Sequence, residues 1–467
     1  MGLGRATAAL WIAAFLPLGC ASTRIDDDVA AIRELIAVEA LPLPDGDVPG
    51  EITAEVEQRL SVPLTAPTAV WIALHNSRTL HAKLRRLGIP RGQLLSAQSL
   101  PNPTVEVELW QPTATDRSVD VGLAVGWDLS GAILAGVSAH AASAGLDEAR
   151  LRTASELLQA GYQVRAAFYA ARSAAARWTL AARSLDAYAA DVDAAQALSV
   201  AGNVSDLRLA GTVAAYEAAR SEAALAELDA HAARETLNDL LGLHGASTGW
   251  TMASAPALPS AVTIPDNLEQ VAVRASLDLR AARARSELLA RRLGLERTRG
   301  WLPTIEVVGL AEQHGEEWEW GGGLRVGLPL FDQNRGETAA VEADFHASLE
   351  DLQGAAVSIR ALARRLGTRL RVAHARAVHA EMQLVPAKRR VVAEMVLHHN
   401  AMQVDVFRLL AAQRDLNLAE MTAAEAVRDF WDARAALDAL LAGARVDLVG
   451  AGQRFRSTSP ETSGDGH

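Results

Sequence analysis

The stretch PTVEV at residues 103–107 recurs as PTIEV at residues 303–307, a shift of 200 residues. Further along, GLAVG at 122–126 corresponds to GLRVG at 323–327, a shift of 201 residues. The order of the matches is the same in both halves. The chain is therefore a tandem duplication of a unit about 200 residues long, far longer than the ~20–50-residue units of solenoids and propellers.

Each copy carries two segments in which apolar residues alternate with polar residues or glycine. They are residues 105–109 and 119–129 in the first copy, and residues 305–307 and 318–330 in the second. A period of two with one apolar face predicts strands. Tryptophans near the segment ends are typical of a lipid-facing sheet with aromatic girdles. A pair of hairpins on a soluble sandwich is the alternative.

The polar positions of these strands are mainly acidic, with Arg325 as the main opposing charge. They predict an acidic lumen if the strands surround a pore, although the generic polarity of a water-filled interior accounts for each residue taken singly. The acidic positions are Glu106, Glu108, Asp120, Asp128, Glu306 and Glu319.

Long stretches without proline follow the first pair of strands. Over 132–199 apolar and small residues step by alternating threes and fours, which predicts a coiled-coil helix roughly 100 Å long at ~1.5 Å per residue. A break at 202–203 separates it from a helix that ends near residue 243, and Ser205 is placed to cap that helix. The second copy predicts helices near 336–397 and 405–443. The lead segment, residues 65–98, is also predicted as a helix.

The N-terminus predicts export from the cytoplasm. Arg5 precedes an apolar run that is too short to span a bilayer, and the run ends at Cys20, the only cysteine of the sequence. A bacterial lipobox, in which Cys20 becomes the acylated, palmitate-bearing N-terminus, explains this cysteine. Pro17 stands where leucine is usual, so cleavage by the ordinary signal peptidase is the alternative. Ala21 and Ser22 favour the outer membrane.

The sequence pattern divides the chain at changes in composition. The predicted segments are a signal peptide at 1–19, a lipidated tether at 20–60, a first repeat at 61–252, a proline-rich link at 253–265, a second repeat at 266–445 and a disordered tail at 446–467.

Composition and motifs argue against several classes of protein. The net charge is −11, and the basic residues are dispersed beside acidic ones, so no nucleic-acid partner is predicted. We find no nucleophile elbow, phosphate loop or HExxH motif, and we predict no enzymatic activity and no cofactor. No metal site is predicted either, because the histidines lack the three- or four-residue spacing of chelating helical pairs. These histidines are His374, His379, His398 and His399.

A lipid-facing sheet must close on itself, because the bilayer offers no hydrogen bonds to free strand edges. Four strands are too few, since the smallest such barrels have about 8. The membrane interpretation therefore requires several copies of the chain.

Four stretches resemble signatures of the TolC-type outer-membrane efflux channels, in the lipoprotein branch that includes heavy-metal efflux members. LPNP at 100–103 is similar to the entry signature, and LPLFDQNRG at 328–336 resembles the most recognisable motif. GNVSDL at 202–207 and NAMQVDVF at 400–407 resemble the two helix–helix tips. The first repeat departs from the main motif, with DLSG at 128–131.

The resemblance covers about residues 61–445 and implies an α+β fold that is mainly α. Long antiparallel coiled-coil helices would form a periplasmic tunnel, and four strands per chain would contribute to a shared 12-stranded barrel in a homotrimer. The implied function is the outer-membrane channel of a tripartite efflux system, a passive conduit lipid-anchored in the outer membrane that works with a periplasmic adaptor protein and an inner-membrane pump. The exported cargo stays open between metal ions, drugs and other small molecules.

A lipid-anchored periplasmic coiled-coil scaffold or adaptor without a pore is the alternative function. An adaptor would carry a lipoyl-like β-domain between its helices, whereas this chain has two repeated hairpins.

The tips supply the candidate functional residues. Asp405 and Asp206 would ring the narrow end of the tunnel and select cations as a periplasmic gate. Helix N-capping is the alternative role of these two residues, and both roles can coexist. Further tip residues are candidate adaptor contacts, with turn geometry alone as the alternative. They are Gly202, Ser205, Met402 and Gln403.

Overall fold

The computed structural model describes most of the chain. The predicted signal peptide, Cys20 with its acylation, most of the tether and residues 447–467 of the tail lie outside the described residues. The described residues are 26–36, 41, 54–111, 119–254, 256–314 and 317–446.

Helices dominate the described residues, as the sequence predicts. In chain order they are α1 Asp26–Leu35, α2 Ala54–Leu60, α3 Ala66–Asn76, α4 Arg78–Arg85, α5 Gly88–Gln98, α6 Leu129–Val200, α7 Asp206–Leu241, α8 Leu268–Ala275, α9 Leu277–Trp301, α10 Arg335–His379, α11 Val385–Asn400 and α12 Val406–Leu441. The strands are β1 Thr104–Trp110, β2 Asp120–Asp128, β3 Thr304–His314 and β4 Glu317–Gly327.

The helix predicted after the first strands is confirmed, since α6 runs for 72 residues without a break. Its sequence contains no proline and is rich in alanine, the residue with the highest helix propensity. Alanine also lets helices approach closely, as in the buried cluster of Ala181, Ala223 and Ala226 with Leu185 and Met421. The helices therefore pack through small side chains.

The corresponding helix of the second repeat is interrupted at Pro386. Proline has no N–H, and its ring collides with the carbonyl four residues earlier, so an α-helix cannot pass unchanged through this point. The chain makes a π-helical turn at Ala380–Leu384, and Pro386 then lies in the first turn of α11. The single helix predicted over 336–397 is wrong in this respect.

The single helix predicted over 65–98 is also wrong, because three short helices, α3, α4 and α5, occupy this segment. At the first break the side-chain amide of Asn76 donates to the carbonyls of Leu241 and Gly242, both at 2.9 Å. At the second break Pro90 enters the first turn of α5, the part of a helix that tolerates a residue without an N–H.

The strands form one antiparallel sheet in the order β1-β2-β3-β4. The two hairpins have equivalent registers: Thr104 lies opposite Gly126 in the first, and Thr304 lies opposite Gly327 in the second. These pairs reproduce the sequence shifts of 200 and 201 residues. Each repeat therefore contributes one hairpin, and the pairing of β2 with β3 joins the two repeats.

The chain divides into two compact units, and each takes segments from both sequence repeats. The first unit, which contains the sheet, takes the described residues within 1–32, 83–151 and 280–353, and the second takes those within 33–82, 152–279 and 354–467. Leu157, Leu237, Leu366 and Phe430 are among the fully buried side chains of the second unit. These units do not follow the sequence repeats, so they do not test the predicted repeat boundaries, which stay predictions.

The buried carboxylate of Asp28 links α1 to α5 and α6 through two arginines. The Asp28 side chain has no exposed surface, and its oxygens accept hydrogen bonds from Arg91 at 2.5 and 2.8 Å and from Arg150 at 2.6 and 2.9 Å. Burial alone would raise the pKa of Asp28. The hydrogen bonds from the two guanidinium groups outweigh burial and hold this pKa below its ordinary value of 3.8.

We expect Asp28→Asn to lower the free energy of unfolding by roughly 3 kcal/mol, because the substitution removes the buried charged partner of two arginines. Since the folded pKa is depressed, the stabilisation is present above pH 3.8 and is lost as the pH falls through the folded pKa. The measurement is thermal unfolding of both proteins by circular dichroism from neutral to acidic pH. Asp27→Asn, at an exposed position of the same helix, is the control. A stability difference that persists unchanged at the most acidic pH would contradict the prediction.

Candidate functional site

All six acidic strand positions lie on one face of the sheet, which we call the polar face. Asp128 lies opposite Glu306, and Glu306 lies opposite Arg325, whose guanidinium is 2.5 Å from the Glu306 carboxylate. Glu312 belongs to the same face, opposite Glu319. The sequence did not reveal Glu312 because only the first residues of β3 alternate clearly. Like charges directly opposite one another destabilise a sheet pair, so this face suits water rather than a packed core.

Glycines on the polar face leave room for neighbouring side chains. A Cβ at Gly126 would collide with the Glu306 carboxylate and lie 2.8 Å from the Thr104 hydroxyl oxygen. A Cβ at Gly122 would lie 2.8 Å from the Trp110 ring. The glycines that alternate with apolar residues in β2 are thus required by the acidic and aromatic side chains beside them.

The opposite face of the sheet is apolar and largely uncovered within the chain. On β1 and β4 five of its side chains are between 58% and 82% exposed. An exposed apolar surface of this extent indicates contact with another apolar phase. The five residues are Val105, Val107, Leu109, Trp320 and Leu324.

Both outer strands of the sheet are open. Every residue of β1 and of β4 is exposed, whereas β2 is partly covered. Within the described part of the chain, β1 pairs on one side with β2 and β4 pairs on one side with β3. The outer backbone groups of both strands are therefore available to another strand.

The first helix–helix tip ends α6 in a Schellman motif. The N–H of Gly202 donates to the Ser199 carbonyl at 2.9 Å, and the N–H of Asn203 donates to the Leu198 carbonyl at 2.8 Å. This motif places one residue in the left-handed conformation. Gly202 occupies that position with φ 75° and has no Cβ to oppose it.

The second tip has the same backbone geometry with a different residue. Met402 and Gln403 donate to the carbonyls of His399 and His398, both at 2.9 Å, and Met402 takes the left-handed position with φ 59°. The imidazoles add support, since Nδ1 of His398 bonds Oε1 of Gln403 at 2.5 Å and Nδ1 of His399 bonds the Val404 carbonyl at 3.1 Å. These side-chain contacts compensate for a conformation that is unfavourable for methionine.

Each tip is followed by a capped helix. Ser205 accepts the N–H of Arg208 at 3.4 Å, and Asp405 accepts the N–H of Arg408 at 2.8 Å. Asp405 therefore performs the capping role that was the alternative to a gate. Asp206 is the first residue of α7, is exposed, and leaves the capping to Ser205. The gate role of both aspartates stays a prediction.

One contact links the two tips, and the sequence pattern did not reveal it. The guanidinium carbon of Arg208 lies 4.2 Å from the ring centroid of Phe407. A cation–π contact of this kind contributes about 0.5–1 kcal/mol at an exposed site. Its two residues are far apart in sequence, so no periodic signal could have paired them.

The motif at 328–336 forms a turn that is clamped onto the end of α9. The Asn334 side-chain amide donates to the carboxylate and to the carbonyl of Glu296, at 2.8 and 3.1 Å. Glu296 is buried and also accepts from Arg299 at 2.8 Å. A Cβ at Gly300 would collide with the Gln333 carbonyl. The motif therefore fixes how the chain leaves β4 and enters α10.

The other two histidines that were considered as metal ligands contact different groups, and the His374 ring centroid also lies 5.4 Å from that of Phe430. His374 contacts the Pro259 carbonyl at 2.8 Å and His379 contacts Gln383 at 3.0 Å. Among the residues that the structure describes, no group of three or more His, Cys, Asp or Glu is placed to hold a metal ion. One described helix, α6, is long and apolar enough to cross a membrane by composition alone, a test that core helices of soluble proteins also pass.

Comparisons with known proteins agree with this geometry. Residues 72–243 match the family model described as outer membrane efflux protein. The outer-membrane channel OprN is similar with a TM-score of 0.68 and 19% identity, over 86% of this chain and 98% of its own. VceC from Vibrio cholerae gives 0.64 and 15% over 84% and 97%, and the CmeC channel from Campylobacter jejuni gives 0.65 and 11% over 91% and 94%. No curated protein sequence matches the chain.

The chain thus has the fold of the outer-membrane efflux channels. Together with the family model, this confirms the resemblance to the TolC-type family and the predicted fold class. OprN and CmeC are outer-membrane channels, in agreement with the prediction of a non-enzymatic protein.

The equivalence of Gly202 and Met402 gives a matched pair of substitutions. We expect Met402→Gly to relieve the strain of the left-handed backbone conformation and to stabilise the second tip locally by about 0.5–1 kcal/mol. Hydrogen exchange at this tip should then be slower. Gly202→Met should destabilise the first tip by a similar amount. Mass-spectrometric hydrogen exchange of residues 198–208 and 398–408 measures both effects. Faster exchange at the second tip of Met402→Gly would show that the methionine side chain stabilises it.

Proposed function

We propose that this protein is the outer-membrane channel of a tripartite efflux system, a homotrimeric passive conduit from the periplasm to the exterior. One observation carries the proposal: a sheet with an apolar face, an acidic and glycine-rich face, and two open edges. The fold similarity to outer-membrane channels supports the same conclusion. Such a sheet suits a barrel wall with lipid on one side and water on the other.

Strand closure requires several copies of the chain, and the family resemblance implies that there are three. Four strands per chain cannot close, whereas three copies would supply 12 strands, above the minimum of about 8 for a membrane barrel. Within this trimer the polar face would line the lumen, and the tryptophans and aliphatic residues of the apolar face would contact lipid. Trp110, which lies opposite Asp120, belongs to the polar face.

The anchoring and the location of the protein rest on its N-terminal sequence. Cys20 would carry the acyl chains, with residues 1–19 removed as a signal peptide. The acyl chains and the barrel would then hold the channel in the outer membrane while the helices extend into the periplasm.

The tips would meet the periplasmic adaptor protein, which in turn connects the channel to an inner-membrane pump. Met402 is 93% exposed, and the neighbouring apolar residues Val200 and Leu207 are 92% and 84% exposed. Exposed apolar side chains on well-ordered turns favour a protein partner. We include Gly202, Ser205 and Gln403 in this contact surface.

The gate would lie at the same end. Asp405 and Asp206 from three chains would form an acidic ring that favours cations, and the contact of Arg208 with Phe407 would hold the two tips of each chain together. Passage through the conduit is passive, and the pump supplies the energy.

The first test is the mass of the particle extracted from outer membranes with detergent. The proposal requires a protein mass of three chains, because the strand edges must close in lipid and the resemblance implies a 12-stranded barrel. Native mass spectrometry or light scattering with detergent correction measures this mass. A monomer or a dimer, or a protein recovered in the soluble periplasmic fraction, would contradict the trimeric channel and favour a coiled-coil scaffold.

The second test separates the gate role of Asp405 from its capping role. Asp405→Ser removes the charge but keeps a good N-cap, as Ser205 shows at the equivalent position, so stability should change by less than about 0.5 kcal/mol. Cation over anion permeability in planar bilayers should fall by roughly twofold or more, since a unit charge at 4 Å contributes ~1 kcal/mol even in water. Asp206→Ser is the companion variant. Unchanged permeability ratios in both variants would leave Asp405 as a cap alone.

A further inference from the structure

The internal duplication determines more than the number of strands. The pairing of β2 with β3 joins the second strand of one repeat to the first strand of the next repeat. In a ring of chains, β4 of one copy would meet β1 of its neighbour, which is again the second strand of one repeat against the first strand of the next. The β2–β3 seam within the chain is therefore the internal equivalent of the seam between chains.

We propose that β4 of one copy pairs antiparallel with β1 of the next copy in the register that the β2–β3 seam prescribes. In that seam Val125 lies opposite Gly309 and Gly126 lies opposite Val308. The shift of 201 residues converts β2 positions into β4 positions, and the shift of 200 converts β3 positions into β1 positions. The resulting pairs between chains are Val326 with Leu109, Gly327 with Glu108, and Arg325 with Trp110.

The proposed register agrees with the two faces of the sheet. Val326 and Leu109 both belong to the apolar face, whereas Gly327 and Glu108 both belong to the polar face. A slip by one residue would exchange the faces and place apolar side chains in water. Slips by two residues keep the faces, so the duplication is what selects among them.

The chemistry of the paired positions also fits. The proposed seam places Gly327 opposite Glu108, just as Gly122 lies opposite Glu108 in the first hairpin and opposite Glu312 in the β2–β3 seam. Arg325 stands opposite Trp110, whose ring can accept a cation–π contact. No like charges lie directly opposite one another in these three pairs. Pro329 has no backbone N–H and cannot donate a hydrogen bond to the neighbouring strand. The ladder between chains should therefore end near this residue, just beyond β4.

Disulfide cross-linking can test the register, because directly opposite residues have Cβ atoms ~4.5–5.5 Å apart, whereas residues offset by two positions are ~7–8 Å apart. The informative variant combines Val326→Cys with Leu109→Cys in the full-length protein. Gly327→Cys with Glu108→Cys is the second variant, since neighbouring pairs alternate between the wide and the close spacing of an antiparallel ladder. At least one of the two pairs therefore has the close spacing.

The slipped controls combine Val326→Cys with Val107→Cys or with Gln111→Cys, and Val326→Cys alone controls for pairing with Cys20. After oxidation in outer membranes, covalent dimers and trimers are measured on denaturing, non-reducing gels. If the proposed register is right, at least one designed pair should give about five times as much cross-linked product as the slipped controls, or more.

The inference rests on the proposed trimeric channel, but the two can fail separately. Predominant cross-linking of a slipped control would overturn the register and leave the barrel intact. Absence of cross-links in every variant, with normal amounts of protein in the outer membrane, would overturn both the seam and the channel. If the designed double variants form cross-links and Val326→Cys alone does not, the pairing of β4 with β1 of the next copy is supported in the proposed register.

Discussion

The hydrogen-bonding groups on the open edges of the sheet are the constraint on which the proposed architecture depends. In water, exposed edges of β1 and β4 would only invite aggregation, and proteins usually protect such edges with charges or prolines. Here the edge strands keep alternating apolar residues and aromatic ends. This combination is stable in a bilayer when every edge finds a partner, so the proposed assembly and the proposed membrane location follow from the same requirement.

The duplication simplifies this requirement. One hairpin per repeat, with the same register in both repeats, means that a single pairing geometry can recur around a closed ring. The helices follow the same rule at their far ends, where both tips use the Schellman geometry and a capped first turn. At the tips the two repeats differ at single positions, with glycine in one tip and methionine supported by two histidines in the other.

Much of the fold could be predicted from the sequence because it depends on periodic or local signals. Alternation revealed the strands, and the absence of proline revealed α6, while Gly202 and Ser205 marked the first tip. The break before Pro386 was marked locally by that proline, which the prediction of one helix over 336–397 passed over. Two other features that the sequence did not reveal have a long-range origin. Asn76 interrupts a helix by bonding to carbonyls 165 and 166 residues away, and the contact of Arg208 with Phe407 joins two tips that are remote in sequence. Long-range contacts of single side chains leave no period for a pattern to detect.

The π-helical turn before Pro386 has a mechanical consequence. The first repeat carries an uninterrupted rod, α6, whereas the corresponding rod of the second repeat contains a wide turn and a proline, the two features at which helices bend most readily. Bending stiffness is therefore unequal between two otherwise equivalent hairpins. A sideways force on the tips would therefore bend the interrupted helix of the second repeat, while the continuous α6 of the first repeat would stay straight.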